Sequence, residues 1–483
     1  MEALLQHVKA GRLPFHTPGH KQGRGLSRRL AALLGRRALA IDLDPPVLAG
    51  PSREIPPDKA RRQAEELAAA LFGAERTFFL VNGTTLGLQA SLLALCPPGQ
   101  AVLLPRYVHR SVIGGLILSG ARPVFLPVAY DEEWGLPLGV EPAVLEREGS
   151  RHPEARALLL TSPTYYGLTP DLQGAVGFCR ARGIPLLVDE AHGAHLGFSP
   201  RLPQSALAAG ADVVVQSAHK TLGVLTQASL LHVKRGRAAA AKIQEMVALL
   251  ETSSPSPLLL ASLDAACAEL AERGKDLVER AVDLAWRARR ALEGLPNLRC
   301  LGPEVVGKGG VAGFDPTRLV VSVRGLGLTG LQAGAWLAEH CGLQVEMADL
   351  ENLVLVITAA DDRRTVDRLV QGLRRLAEAF KEQKGTGGAH RKWVEPPSPV
   401  LAVTPREAAL APMRLLPLAE AAGRICGEVI SVYPPGVPVL CPGEVISREM
   451  ISYLLWAREQ GLHLTGSAAG EAGTIICAEL DMV

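Results

Sequence analysis

Apolar runs of four or five residues recur along the first half of the chain, each followed by polar residues and then by a segment with helical spacing. They are Thr77–Val81, Ala101–Pro105, Arg122–Leu126, Ala157–Thr161, Pro185–Val188, Asp212–Gln216 and Ser229–Val233. Short, nearly continuous runs of this kind predict strands buried on both faces, and their alternation with helices predicts an α/β domain with a mostly parallel sheet. A helix over Lys59–Phe72, with Leu67, Leu71 and Phe72 on one side, leads into them.

The pattern changes on either side. Residues 1–58 are rich in Pro, Gly and His and read as an extended N-terminal arm with short helices, and 59–295 form the large domain. Residues 257–293 have the spacing of one long amphipathic helix, or two in series. Strands at Arg318–Val323 and Leu353–Thr358, with a helix at Leu331–Cys341 between them, predict a small α/β domain over 296–383. A polar, Gly-rich and then Pro-rich stretch marks a linker at 384–399. The remainder, 400–483, is a third, α+β unit around the turn-rich segment VYPPGVPVLCPGE.

In open α/β sheets ligands bind beyond the carboxyl ends of strands. IPLLVDEAHGAH places Asp189 at one such end, and ADVVVQSAHK places Lys220 just past another. An amine and a carboxylate facing one crevice suit pyridoxal 5'-phosphate, whose aldehyde takes a lysine and whose ring nitrogen takes an acid. Each alone also reads as an ordinary loop lysine or a helix cap, so neighbouring segments decide. Asn82-Gly83-Thr84-Thr85 joins a strand to a helix whose free N–H groups can hold a phosphate, or Thr84 simply caps that helix. His109 opens another helix and could stack on a cofactor ring or serve only the helix start. Ser217 and His219 flank the lysine, as phosphate donors or as loop hydrogen-bonders.

Two motifs point elsewhere. Gly325-Leu-Gly-Leu-Thr-Gly330 matches the dinucleotide fingerprint, but the unit around it is too short for two βαβαβ halves, so its glycines read as turn formers. His192-x-x-His195 and His16-x-x-x-His20 resemble metal pairs, yet nothing completes a tetrahedral set and no metal is expected.

Bulk properties narrow the class. A net charge of +2 in 483 residues gives no large one-signed field, so neither nucleic acid nor a membrane surface is an expected partner. Eight scattered cysteines without a Cys-x-x-Cys pair read as free thiols of a reducing compartment. No apolar run reaches the ~18 residues of a spanning helix. The expected location is the cytoplasm.

The segments HTPGHKQG (16–23), VNGTTLG (81–87), HRSV (109–112), TSPTYYG (161–167), DEAHGAH (189–195), SAHKTLG (217–223), TSSPSPLLLASLDAA (252–266), VSVRGLGLTG (321–330) and YPPGVPVLCPGE (433–444) run in this order across the chain. Together they resemble the ornithine/lysine/arginine decarboxylases of fold type I, in the short form common in Gram-positive bacteria. The resemblance implies an aspartate-aminotransferase-like large domain, a small α/β domain and a C-terminal decarboxylase domain. Since HTPGHK stands at residue 16, no N-terminal wing domain is expected. Arg110 stands where many relatives have Lys, a change that keeps the charge.

By the same resemblance Lys220 binds pyridoxal 5'-phosphate as a Schiff base, and Asp189, its pKa depressed by the ring cation, pairs with the ring nitrogen. Gly83, Thr84, Thr85, Ser217 and His219 hold the phosphate, His109 stacks on the ring, and Ala191 or His192 lies near its other face. Lys220, or else His109, protonates Cα. Thr252 and Ser253 begin a segment near a subunit interface, implying a homodimer, and Glu444 reads the substrate's distal cation. The implied reaction is decarboxylation of arginine or lysine, with ornithine possible, feeding polyamine biosynthesis. Alternatives are an aminotransferase, an acyl-CoA-dependent synthase or a catalytically silent binding protein. Release of CO₂ rather than a keto acid separates the first reading from these.

Overall fold

The computed structural model describes residues 1–9, 57–381, 394–466 and 473–480. The HTPGHKQG segment, His16, His20 and much of the expected linker lie outside the described residues.

The apolar runs become strands of one seven-stranded sheet. They are β1 (Arg76–Leu80), β2 (Ala101–Pro105), β3 (Arg122–Leu126), β4 (Ala157–Thr161), β5 (Leu186–Asp189), β6 (Val213–Gln216) and β7 (Ser229–Val233). Their order is β1-β7-β6-β5-β4-β2-β3. Pairing is parallel from β6 to β3, while β7 runs antiparallel to both β6 and β1. β1 therefore points the same way as the five parallel strands, and six carboxyl ends share one edge.

Alternate residues of each strand feed two cores. Val102, Leu104, Leu187, Val213 and Val215 join one with Leu86, Leu88 and Leu92 of α2 (Gly83–Leu95), which follows α1 (Pro57–Phe72). Leu103, Leu158, Leu160, Val188 and Val214 join the other, on the opposite face. Burial of both faces is why the runs are continuous rather than alternating.

After α3 (Arg110–Ser119) and the short α4 (Ala218–Thr221), the long helix α5 spans Pro257–Leu292. Its backbone breaks at Arg273, where φ is −145°, so it is two helices in series. Leu284, Ala285, Ala288 and Leu292 of its second half pack into the core of the small domain. That domain has a four-stranded antiparallel sheet, which includes β9 (Arg318–Ser322); the preceding β8 (Val311–Phe314) pairs instead with Leu168–Pro170 of the large domain. In the GLGLTG segment a Cβ at Gly330 would lie 2.2 Å from the Asn352 carbonyl oxygen, and one at Gly325 would lie 2.5 Å from that of Asn297. These glycines serve close backbone approach beside an antiparallel sheet, not a dinucleotide crevice.

The C-terminal region has two three-stranded antiparallel sheets and the helix Arg448–Glu459 around one core. It docks on the large domain at α3, where Arg406 Nη1 donates to the Leu118 carbonyl at 3.1 Å.

A buried polar chain crosses β5, β6, β7 and β1. Glu190 accepts from Ala206 N and Gln216 Nε2, both at 2.7 Å, and His232 bridges Gln216 Oε1 and Thr77 Oγ1. Burial pushes the Glu190 carboxyl up from 4.5 to about 8. The folded state thus binds a proton over that window that the unfolded state does not, and stability should fall as pH rises through it. Urea midpoints of Glu190→Gln and wild type, measured from about pH 5 to about pH 8, should differ by an amount that changes with pH; a constant difference would contradict this.

Candidate active site

Four of the aligned carboxyl ends carry the polar residues that the sequence singles out. Beyond β1, Gly83 turns the chain at φ 73° and α2 begins without a side-chain cap from Asn82. Thr84 does not cap either. Its Oγ1 lies 3.0 Å from Ser217 Oγ, which joins the start of α2 to the segment after β6.

Beyond β2, His109 caps α3. Its Nδ1 accepts from Ser111 N at 3.2 Å and lies 2.8 Å from Ser111 Oγ, so a neutral ring carries its proton on Nε2. Burial, first, holds its pKa below the ordinary histidine value, with Asp189 pulling the other way.

Asp189 ends β5, 3% exposed, with Oδ1 accepting from Ala191 N at 3.1 Å. Burial raises its pKa, while His109 and Lys220 draw it down. Among the protein's own groups, desolvation of the carboxylate outweighs its two basic neighbours.

Beyond β6, α4 carries Lys220, whose Nζ lies 2.9 Å from His192 Nε2. Burial, and then the nearby Arg318, hold the amine below its ordinary pKa against the pull of Asp189.

Thr84, His109, Asp189, Ala191, His192 and Lys220 all line one cavity of about 400 Å³. Gly83 sits in the adjoining turn, and Ser217 reaches the wall through Thr84. Thr85 is exposed on α2, and His219 is committed to the Ala228 carbonyl at 3.1 Å; neither lines the cavity.

Glu444 is not at this cavity. Fully buried, it forms a two-point ion pair with Arg106, including Nη2 to Oε2 at 3.0 Å, and accepts from Cys441 N at 2.7 Å. Both of its oxygens are engaged within the protein, and it is not among the residues that line the cavity. It ties the C-terminal region to the end of β2 instead. Glu444→Gln should therefore cost about 3–5 kcal/mol of stability by stranding the Arg106 charge. KM should stay within about twofold (~0.4 kcal/mol), as urea unfolding and steady-state kinetics would check; a large KM rise in a stably folded variant would restore the substrate role.

Several cavity residues escaped the sequence reading. Tyr165 and Tyr166 follow β4, and Ser431, Tyr433, Pro435 and Thr465 come from the C-terminal region. Their segments were conspicuous, but which side chains turn inward is a property of the packing. Arg318 is 1% exposed and donates from Nη2 to His192 Nδ1 at 2.7 Å. A charged residue opening a fully buried strand was the available signal. His195 Nε2 lies 3.0 Å from Asp315 Oδ2 and 3.3 Å from Thr317 Oγ1, so the two histidines serve separate networks. Among the described residues, no three His, Cys, Asp or Glu side chains are placed to hold a metal.

The donor set fits pyridoxal 5'-phosphate. It offers an amine shifted toward its free base, a buried carboxylate whose desolvation a ring cation would offset, and hydroxyls at a helix N-terminus. Thr161 Oγ1, buried on a residue of the cavity wall, has no hydrogen-bond partner among the described residues. Lys220, Asp189, His109, Thr84 and Ser217 are the residues that would hold the cofactor.

The model for the Orn/Lys/Arg decarboxylase major domain matches residues 1–365, and that for the C-terminal domain of the same family matches 390–477. An arginine decarboxylase of Bacillus subtilis is 39% identical, over 96% of this chain and 94% of its own. A lysine decarboxylase of Pseudomonas aeruginosa is 25% identical, over 94% of this chain and 75% of its own. The crystal structure of a Francisella novicida lysine decarboxylase superposes with a TM-score of 0.82 at 18% identity, over 99% of this chain and 80% of that one, which shows a shared fold. With both domains matched and a relative aligned along nearly its whole length, the chain belongs to the Orn/Lys/Arg decarboxylase family of fold-type I, pyridoxal-phosphate-dependent enzymes.

Proposed function

We propose that this enzyme decarboxylates arginine to agmatine and CO₂, with Lys220, Asp189 and His109 as its catalytic residues. The observation that carries the reading is the single cavity in which the Lys220 amine, the Asp189 carboxylate and the His109 ring converge. The choice of arginine over lysine is supported by the arginine decarboxylases at 39% identity, against 24–25% for the lysine decarboxylases of Pseudomonas aeruginosa and Escherichia coli.

The bound cofactor supplies an electron sink for the pair left behind as CO₂ departs. Asp189 would hold positive charge on the ring nitrogen, and burial would strengthen that pairing. His109 would face the ring, and Thr84 with Ser217 would hold the phosphate. Lys220 Nζ, a base when uncharged, would take up a proton from the incoming substrate ammonium and pass that proton to the substrate Cα; His109 Nε2–H is the other group able to do so.

The exposed Thr252–Ser254 stretch between two helices supports a homodimer with the site near the subunit interface. Free, mostly buried cysteines, and the lack of any helix among the described residues long and apolar enough to cross a membrane, support a cytoplasmic location. The product amine would feed polyamine formation.

A substrate panel tests the reading. Guanidinium rewards a bidentate partner where ammonium takes a point contact, so kcat/KM for arginine should exceed that for lysine and ornithine at least ~10-fold, about 1.4 kcal/mol. A preference for lysine would replace the substrate. Keto acid formed without CO₂ would replace the reaction class with transamination.

A further inference from the structure

The chain places a buried guanidinium behind the histidine that touches the catalytic lysine. Arg318 Nη2 lies 2.7 Å from His192 Nδ1, and His192 Nε2 lies 2.9 Å from Lys220 Nζ. A guanidinium has only donors, so His192 Nδ1 must offer its lone pair. A neutral imidazole then carries its one proton on Nε2. That N–H faces Lys220, and the contact is a hydrogen bond only if Nζ accepts it, as an uncharged amine does and an ammonium does not.

We infer that Arg318 is a positioning residue that fixes His192 in its Nε2–H tautomer, so that His192 donates to Lys220 and holds it as the free, nucleophilic amine. An ammonium at Lys220 would need the opposite tautomer, which would set an Nδ1–H against a guanidinium N–H.

The placement of Arg318 is tightly determined. It opens β9 directly after the turn in which Asp315 Oδ1 accepts from Thr317 N at 2.9 Å and Thr317 Oγ1 at 2.6 Å. Asp315 Oδ2 faces His195 at 3.0 Å, which ties this turn to the loop carrying His192. Gly167, at φ 83°, makes room, since a Cβ there would lie 2.7 Å from Arg318 Cβ. The Tyr165 ring lies 4.7 Å from the His192 ring and limits its rotation.

Charges around the pair act in both directions. Asp189 and Glu346 favour protonated Lys220, whereas burial and Arg318 oppose it. His192 is held well below the ordinary histidine value by burial, then by Arg318, Lys220, His109 and His195. The small domain thereby sets the protonation of a lysine that belongs to the large one.

The inference rests on Lys220 being the cofactor lysine, and its test can fail separately from that reading. The full-length protein is stripped of cofactor and reloaded with pyridoxal 5'-phosphate across a pH series, and the capture rate is followed by visible absorbance. In Arg318→Met, which removes donor and charge, the rate–pH midpoint should rise by about one unit, slowing capture near neutral pH about tenfold. Arg318→Lys, which keeps both, should restore most of the loss. A folded Arg318→Met with an unmoved midpoint would overturn the inference while leaving Lys220 as the cofactor lysine. Nitrogen NMR of isotopically labelled histidine in the wild-type chain, assigned with His192→Gln, does not depend on the Arg318 variants folding. It should show His192 Nδ1 unprotonated; a proton on Nδ1 would equally overturn the inference.

Discussion

Lys220→Ala should abolish CO₂ release and the visible absorbance of lysine-bound cofactor together, while leaving the fold intact. In the proposed mechanism one amine has two tasks, holding the cofactor and delivering the proton to Cα. Loss of a positioned acid–base group alone typically costs up to about ten-thousand-fold, and loss of the covalent anchor adds to it. Stability should not fall, because the variant removes a desolvated amine that burial already disfavours in its charged form. Retention of the absorbance band, or activity within about a hundredfold of wild type (~2.7 kcal/mol), would remove Lys220 from its role. Adding a primary amine to the variant offers a further check, since external amine can replace the proton donor but not the tether.

Asp189→Asn should have the second-largest effect. The side chain keeps its size and an oxygen for Ala191 N, but loses the charge that would stabilise a cation at the ring nitrogen. Breaking one side of a buried pair costs about 3–5 kcal/mol, equivalent to a hundred- to several-thousand-fold in rate. The loss should appear in kcat with arginine saturating, because the charge matters most as electrons move toward the ring. Weaker cofactor retention on dialysis should accompany it. A variant that holds cofactor less well yet turns over at the wild-type rate when saturated would show that Asp189 only binds.

Glu444 and Arg318 show what linear reading lacks. Glu444 lies in a family-like motif and carries the charge that a cationic substrate needs, yet its oxygens belong to Arg106, which follows β2 more than three hundred residues earlier. Arg318 opens a buried strand, which signals its burial but not its partner, and it reaches the cavity wall through His192. Partner choice between residues so distant in sequence depends on how domains dock, and periodicity carries no information about that.

The strands were legible because each is buried on both faces and so reads as an uninterrupted apolar run. Their polar ends were legible too, since a parallel sheet gathers carboxyl ends at one edge, which made Lys220, Asp189, His109 and Thr84 candidates for one site. The sequence by itself therefore determined the sheet, the chemistry and the family. Only the tertiary structure decided that Thr85 and His219 face away from the cavity, that Glu444 is a strut, that the C-terminal region supplies Tyr433 and Thr465 to the wall, and that Arg318 stands behind the lysine. Local pattern records whether a residue is buried. What it is buried against is set by contacts between distant segments, and those exist only once the domains have packed.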